Sequence, residues 1–271
     1  MTLRNGLYCL FGGLCFTLPA LGMGHFWLWW LSGVLTVASL VPVVRFGPRR
    51  PLMQFAAIAL PLVVVGLVCT VWEAMLFRPD LKAELLRDVT GGSVQYLIVA
   101  AVLVALARGM KLTETATQTV EHRRVAVAIP MVLLSGLSYV IYYLIFGGIT
   151  YQFFTRQYYP HAQEMAAALG MWFWGFELTR GVLMTLAVLP IIYSLRLRRW
   201  QAALAVGAIV WITGGCAALL VPNGMMVTAQ RYIHIVEIMM QNVPLGITAV
   251  LLLRPRTAKA EASMQPVMKN G

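Results

Sequence analysis

Residues 53–77 read MQFAAIALPLVVVGLVCTVWEAMLF, a run in which Glu73 is the only charged side chain. A hydrocarbon core about 30 Å thick is crossed by about 20 helical residues, so this run is long and apolar enough to span a membrane. Lipid offers no partner for backbone amides and carbonyls, which selects the helix over an open strand.

Working outward from this run, the same signal recurs along the chain. Apolar segments and their breakers predict helices at roughly 3–21, 25–45, 53–77, 94–110, 126–154, 168–195, 200–222 and 226–253. The expected fold is an all-α, polytopic transmembrane bundle of about eight spans, one domain over 1–253, with a short polar tail at 254–271 expected to be disordered. Gly22-Met23-Gly24, Gly47-Pro48, Gly91-Gly92 and Pro222-Asn223-Gly224 read as the turns between spans.

Composition agrees. Of 271 residues, 60% are hydrophobic and 11% charged, less than half the roughly 25% charged residues of a soluble protein. The net charge of +11 does not indicate a nucleic-acid partner, because the basic residues sit in short clusters between spans. Arg4, Arg45, Arg49, Arg50, Arg108, Lys111, Arg123, Arg124, Arg196, Arg198, Arg199, Arg254, Arg256, Lys259 and Lys269 fall on one side of the predicted topology. Arg78, Lys82, Arg87 and Arg156 fall on the other. The positive-inside rule then places both termini in the cytoplasm of a cell inner-membrane protein. Cys9, Cys15, Cys69 and Cys216 all lie in apolar segments without CxxC spacing, which points to small buried side chains rather than a disulfide or zinc framework.

Three segments carry expectations of their own. Arg4, the apolar stretch after it and Ala20-Leu21-Gly22 also fit a cleaved signal peptide, though a retained helix keeps the charge pattern intact. The periodic stretch from Asp80 to Arg87 suits a helix lying on the membrane surface. The polar stretch from Lys111 to Arg124 suits a helix extending out of the membrane.

Ionisable groups inside spans cost about 2.5–3.5 kcal/mol each on insertion scales and so tend to face the bundle interior. Here they concentrate in the sixth and eighth spans. Glu177 and Arg180, three residues apart, share a helix face and can pair, and Gly181 beside them admits a neighbouring helix. In the eighth span, a step of about 100° per residue puts Gln230, Arg231, His234, Glu237, Gln241 and Asn242 in one arc of about 140°. Ile233, Val236, Met239, Met240 and Val243 take the other side, and Pro244 invites a kink near Gln241 and Asn242. The expected site opens outward between these spans. Tyr139, Tyr142, Tyr143, Tyr151, Gln152, Tyr158, Tyr159 and His161 are candidates for its wall. Glu73, near a span end, is expected simply to reach water, and the Phe26–Trp30 and Trp172–Trp174 clusters to be interfacial belts.

This pattern admits several chemistries. Arg180 and Arg231, with Gln230, Gln241 and Asn242, suit a small anionic or zwitterionic ligand or a lipid head group, bound or transported. His234, Glu237 and Glu177 suit proton transfer in a membrane-embedded hydrolase or transferase, or ligation of a metal. The same groups also suit a structural network or a proton sensor. No HExxH zinc-hydrolase pattern is present. Over about Tyr142–Leu253, the patterns Glu177-x-x-Arg180-Gly181, Pro222-Asn223 and Arg231-x-x-His234-x-x-Glu237-x-x-x-x-Asn242 resemble a group of bacterial multi-pass membrane proteins. That resemblance implies no particular activity.

Overall fold

The computed structural model describes residues 3–18, 21–22, 24–77, 79–114, 120–121, 123–159 and 162–255. The expectations resting on Ala20, Arg78, His161 and the tail from Arg256 onward fall outside these residues. The main helices are α1 (Leu3–Thr17), α2 (Phe26–Phe46), α3 (Pro51–Leu76), α4 (Lys82–Gly109), α5 (Val125–Tyr158), α6 (Met171–Ser194), α7 (Arg199–Leu220) and α8 (Thr228–Leu253). A short helix, Ala162–Leu169, precedes α6. Among the described residues no strand forms, and one isolated bridge pairs Asn223 with Met226 across the predicted turn.

Seven of these helices, α2 to α8, are long and apolar enough to cross a membrane. The chain is an integral, multi-pass membrane protein in contact with the bilayer. α1 has fifteen residues, about 22 Å at 1.5 Å per residue, shorter than a typical hydrocarbon core. It packs along α2, and its buried Tyr8 donates to the Leu103 carbonyl of α4 at 3.4 Å.

The loop assignments change in three places. The stretch 82–87 is not a separate surface helix but the opening turns of α4. Gly91-Gly92 is not a turn, because it lies inside α4, where Gly92 lets Leu67 of α3 approach. α4 ends at Gly109, and Lys111 then takes a left-handed φ of 53°. The chain folds back there, so that the Glu114 amide donates to the Arg45 carbonyl at 2.9 Å.

One end of the bundle gathers the arginines that the charge count assigns to a single side. Arg45 pairs with Glu114, and Arg108 donates to the Arg49 carbonyl at 2.7 Å. Arg123 and Arg199 donate to the Leu252 and Leu251 carbonyls at the end of α8. Arg254 bonds the Ile192, Leu195 and Leu197 carbonyls at the end of α6. The last carbonyls of a helix have no partner within it and carry partial negative charge, so a guanidinium there is doubly favourable. Burial lowers the pKa of Arg254 to about 10, which still leaves it cationic at neutral pH.

Three glycine pairs set the helix crossings: Gly13 with Gly33 (α1–α2), Gly136 with Gly181 (α5–α6), and Gly207 with Gly246 (α7–α8). A Cβ on Gly181 would lie 2.8 Å from the Gly136 carbonyl oxygen, and one on Gly246 would lie 2.6 Å from the Gly207 Cα. Small residues allow backbones to meet this closely in a membrane, where dispersion and hydrogen bonding hold helices together. Wide π-helical turns interrupt α3 (Pro61–Cys69), α5 (Tyr143–Gly147 and Tyr151–Thr155) and α7 (Ile212–Cys216). The first begins at Pro61, which has no amide hydrogen to continue the α-helical pairing.

Candidate functional site

Arg180 is the centre of the charged cluster. Its Nη1 donates to Glu177 Oε2 at 2.8 Å, one turn back on α6. Its Nη2 donates to Glu73 Oε2 of α3 at 2.7 Å. Its guanidinium carbon stands 5.6 Å from the Tyr139 ring centroid, a cation–π distance. The Gly136–Gly181 crossing brings α5 near enough to put Tyr139 there. Glu177 is 0% and Arg180 4% exposed, and among the described residues Glu177 Oε1 and Arg180 Nε have no hydrogen-bond partner. Glu73 does not simply reach water as an isolated interfacial acid. It is the second carboxylate on Arg180, and only 16% of its side chain is exposed.

α8 contributes the other half. Glu237 Oε2 lies 2.8 Å from His234 Nδ1, and Glu237 Oε1 accepts from Gln241 Nε2 at 3.3 Å. Gly147 of α5 faces this pair, since a Cβ there would lie 3.4 Å from Glu237 Oε1 and 3.3 Å from Gln241 Nε2. Glu73 and Arg180 lie close enough to His234 to act on it electrostatically. The Glu73–Arg180–Glu177 set and the His234–Glu237–Gln241 set are therefore neighbours. The stripe faces inward as its spacing requires: Gln230, Arg231, Gln241 and Asn242 are buried, whereas Val236 and Met240 are exposed.

The remaining predicted residues divide between this cluster and other work. Arg231 donates to the Leu219 and Leu220 carbonyls at 3.1 and 3.3 Å, and to Thr228 Oγ1 at 3.3 Å, closing the end of α7. Asn242 donates to the Val210 carbonyl of α7 at 3.2 Å. Tyr142 bonds Thr248 at 2.8 Å, which ties α5 to α8. Tyr143 stacks edge-on with Phe173. Tyr159, just past α5, hydrogen-bonds with Gln230 and feels Glu237 and Glu73. Burial pushes its phenol up to about 12, against the pull of that hydrogen bond. Tyr151 and Tyr158 are half-buried, and Gln152 instead lines an open cleft of about 620 Å³ at the end of α5, with Phe153, Phe154, Arg156 and Gln157.

The geometry supports two kinds of chemistry. A carboxylate on one imidazole nitrogen fixes the ring and leaves the other to exchange a proton. A guanidinium between two carboxylates fixes charge across two helices. Among the described residues, no three His, Cys, Asp or Glu side chains converge as a metal-binding group. Glu177 is held by Arg180 while His234 is held by Glu237.

Sequence spacing alone did not reveal Gly147 as the surface behind Glu237, or Arg254 as the clamp on α6. Both depend on which helices abut. No protein family, no curated protein and no solved structure matches this chain.

Proposed function

We propose that this membrane protein binds, and moves or presents, a small zwitterionic solute or lipid head group at the polar cluster of α3, α6 and α8. In this reading the protein lies in the inner membrane with both termini cytoplasmic, and the cluster is reached from the side opposite the arginine-rich end. The observation that carries it is the pairing of Arg180 with carboxylates from two helices, beside a His–Glu pair on a third. A single ion pair is enough to fix helix register, and buried pairs add little stability of their own. Two adjacent charged sets inside a bilayer are better accounted for by a ligand.

A second reading, a membrane-embedded hydrolase or transferase, is favoured by one feature. His234 Nδ1 lies 2.8 Å from Glu237 Oε2, the arrangement that orients an imidazole for general base work.

Native mass spectrometry with elemental analysis of the purified protein, run beside His234→Ala, separates these readings. A co-purifying small molecule or lipid that is diminished in His234→Ala supports binding. A stoichiometric metal lost in the variant supports the enzyme. Neither of these, with only reduced stability in the variant, assigns the cluster a structural role and overturns the proposal.

A further inference from the structure

Within the binding reading just given, on which this inference rests, the layers of the cluster decide the sign of the ligand's charge. The side chains that retain exposure are Glu73 at 16%, His234 at 20% and Glu237 at 12%. Beneath them, Arg180 is 4% and Glu177 0% exposed. An entering ligand therefore meets two carboxylates and an imidazole before it meets any guanidinium.

The cations are also engaged. Both terminal nitrogens of Arg180 already hold carboxylates. Arg231 is 3% exposed, and its terminal nitrogens donate to carbonyls at the end of α7 and to Thr228 Oγ1. An anion would have to displace Glu73 or Glu177 from Arg180 and then sit among carboxylates in a low-dielectric medium, where like charges repel strongly. Among the described residues, three carboxylates (Glu73, Glu177 and Glu237) share the cluster with one guanidinium, and Glu177 is fully buried with no hydrogen-bond partner for Oε1. Among the described residues, carboxylates in the cluster outnumber guanidinium groups.

We infer that the ligand presents a cationic group of the ammonium class to Glu73 and Glu237, with His234 and Gln241 holding the Glu237 carboxylate in position. Any anionic end of a zwitterion points away from this layer. Among the described residues, the flanking titratable groups include Tyr159 on the chain after α5, Tyr139 and Tyr143 on α5 and Cys69 on α3, phenols and a thiol that cannot add a competing cation.

The test is calorimetric titration of the purified full-length protein with ammonium, ethanolamine and choline chlorides. Sodium acetate and sodium sulfate serve as anionic probes, and sodium chloride as the ionic-strength control. The expected result is saturable binding of at least one ammonium probe and of neither anion. Glu237→Gln should weaken that binding at least tenfold. Glu73→Gln, which leaves Arg180 its bond to Glu177, should weaken it similarly and serves if the first variant folds poorly. Binding of acetate or sulfate but no ammonium probe would overturn the cationic assignment and leave the site standing. Undiminished ammonium binding in both variants would overturn the placement of the cation. No binding by any probe, together with no co-purifying molecule in the mass spectra, would overturn the inference and the site together.

Discussion

Arg180 is held by Glu73 and Glu177 while 4% exposed, so its loss would strand two acids in the bundle. Breaking a buried pair by removing one partner costs about 3–5 kcal/mol. Arg180→Ala should lower the unfolding free energy in detergent by about that amount, read by chemical denaturation. Arg180→Lys, which keeps the charge but not the two-pronged geometry, should cost less. A loss under about 1 kcal/mol for Arg180→Ala would mean that the triad is solvated. At this scale the sequence was partly legible. The three-residue spacing gave Glu177 with Arg180, and helical periodicity gave His234 with Glu237 and its stripe. The pairing of Glu73 was not legible because its partner sits on another span, and spacing within one helix carries no record of which helices meet.

Helix pairing in this molecule rests on glycines and on hydrogen bonds between spans. The α7–α8 seam joins Gly207 to Gly246, with Asn242 on the Val210 carbonyl and Trp211 Nε1 on the Ile235 carbonyl at 3.1 Å. Gly246→Val would drive a side chain into the Gly207 backbone, and overpacking of this kind costs about 1–3 kcal/mol. Gly175→Ala on α6, where a Cβ meets nothing within 4 Å, should change stability by about 0.5 kcal/mol or less. Thermal unfolding of the two variants side by side checks this, and equal melting temperatures would contradict the close crossing. The spans themselves were read to within a few residues wherever apolar and polar segments meet sharply. α4 was the exception. Its first twelve residues, 82–93, include Lys82, Glu84, Arg87 and Asp88, so hydropathy concealed a continuous helix running from Lys82 to Gly109. The span that begins at Val125 also runs on to Tyr158, through a π-helical turn at Tyr151–Thr155 and a closing 3-10 turn at Arg156–Tyr158.

At the scale of the whole molecule, the bundle separates charge by end. Arg45, Arg49, Arg108, Arg123, Arg199 and Arg254 gather at one end, most of them bonded to backbone carbonyls there. In the proposed orientation, which follows the positive-inside rule, this end faces the cytoplasm. In a background with the four native cysteines replaced, Asn223→Cys should react with a membrane-impermeant maleimide added to intact cells, and Arg198→Cys should not. The reverse pattern would invert the orientation. The placement of the spans was legible because hydropathy is a one-dimensional property. The cluster's charge sign was not, because the side chains that keep exposure are determined only when α3, α5, α6 and α8 pack together.

If the cluster is an acid-faced site open to one side of the membrane, a cation should reach it from that side faster than an anion. The most direct test places a cysteine in that layer, His234→Cys in the same cysteine-free background, and compares positively and negatively charged methanethiosulfonate reagents added to intact cells. Modification from outside is expected, at least tenfold faster with the cationic reagent, and slowed when Glu73→Gln is added. Modification that is faster with the anionic reagent, or no modification by either, would contradict it.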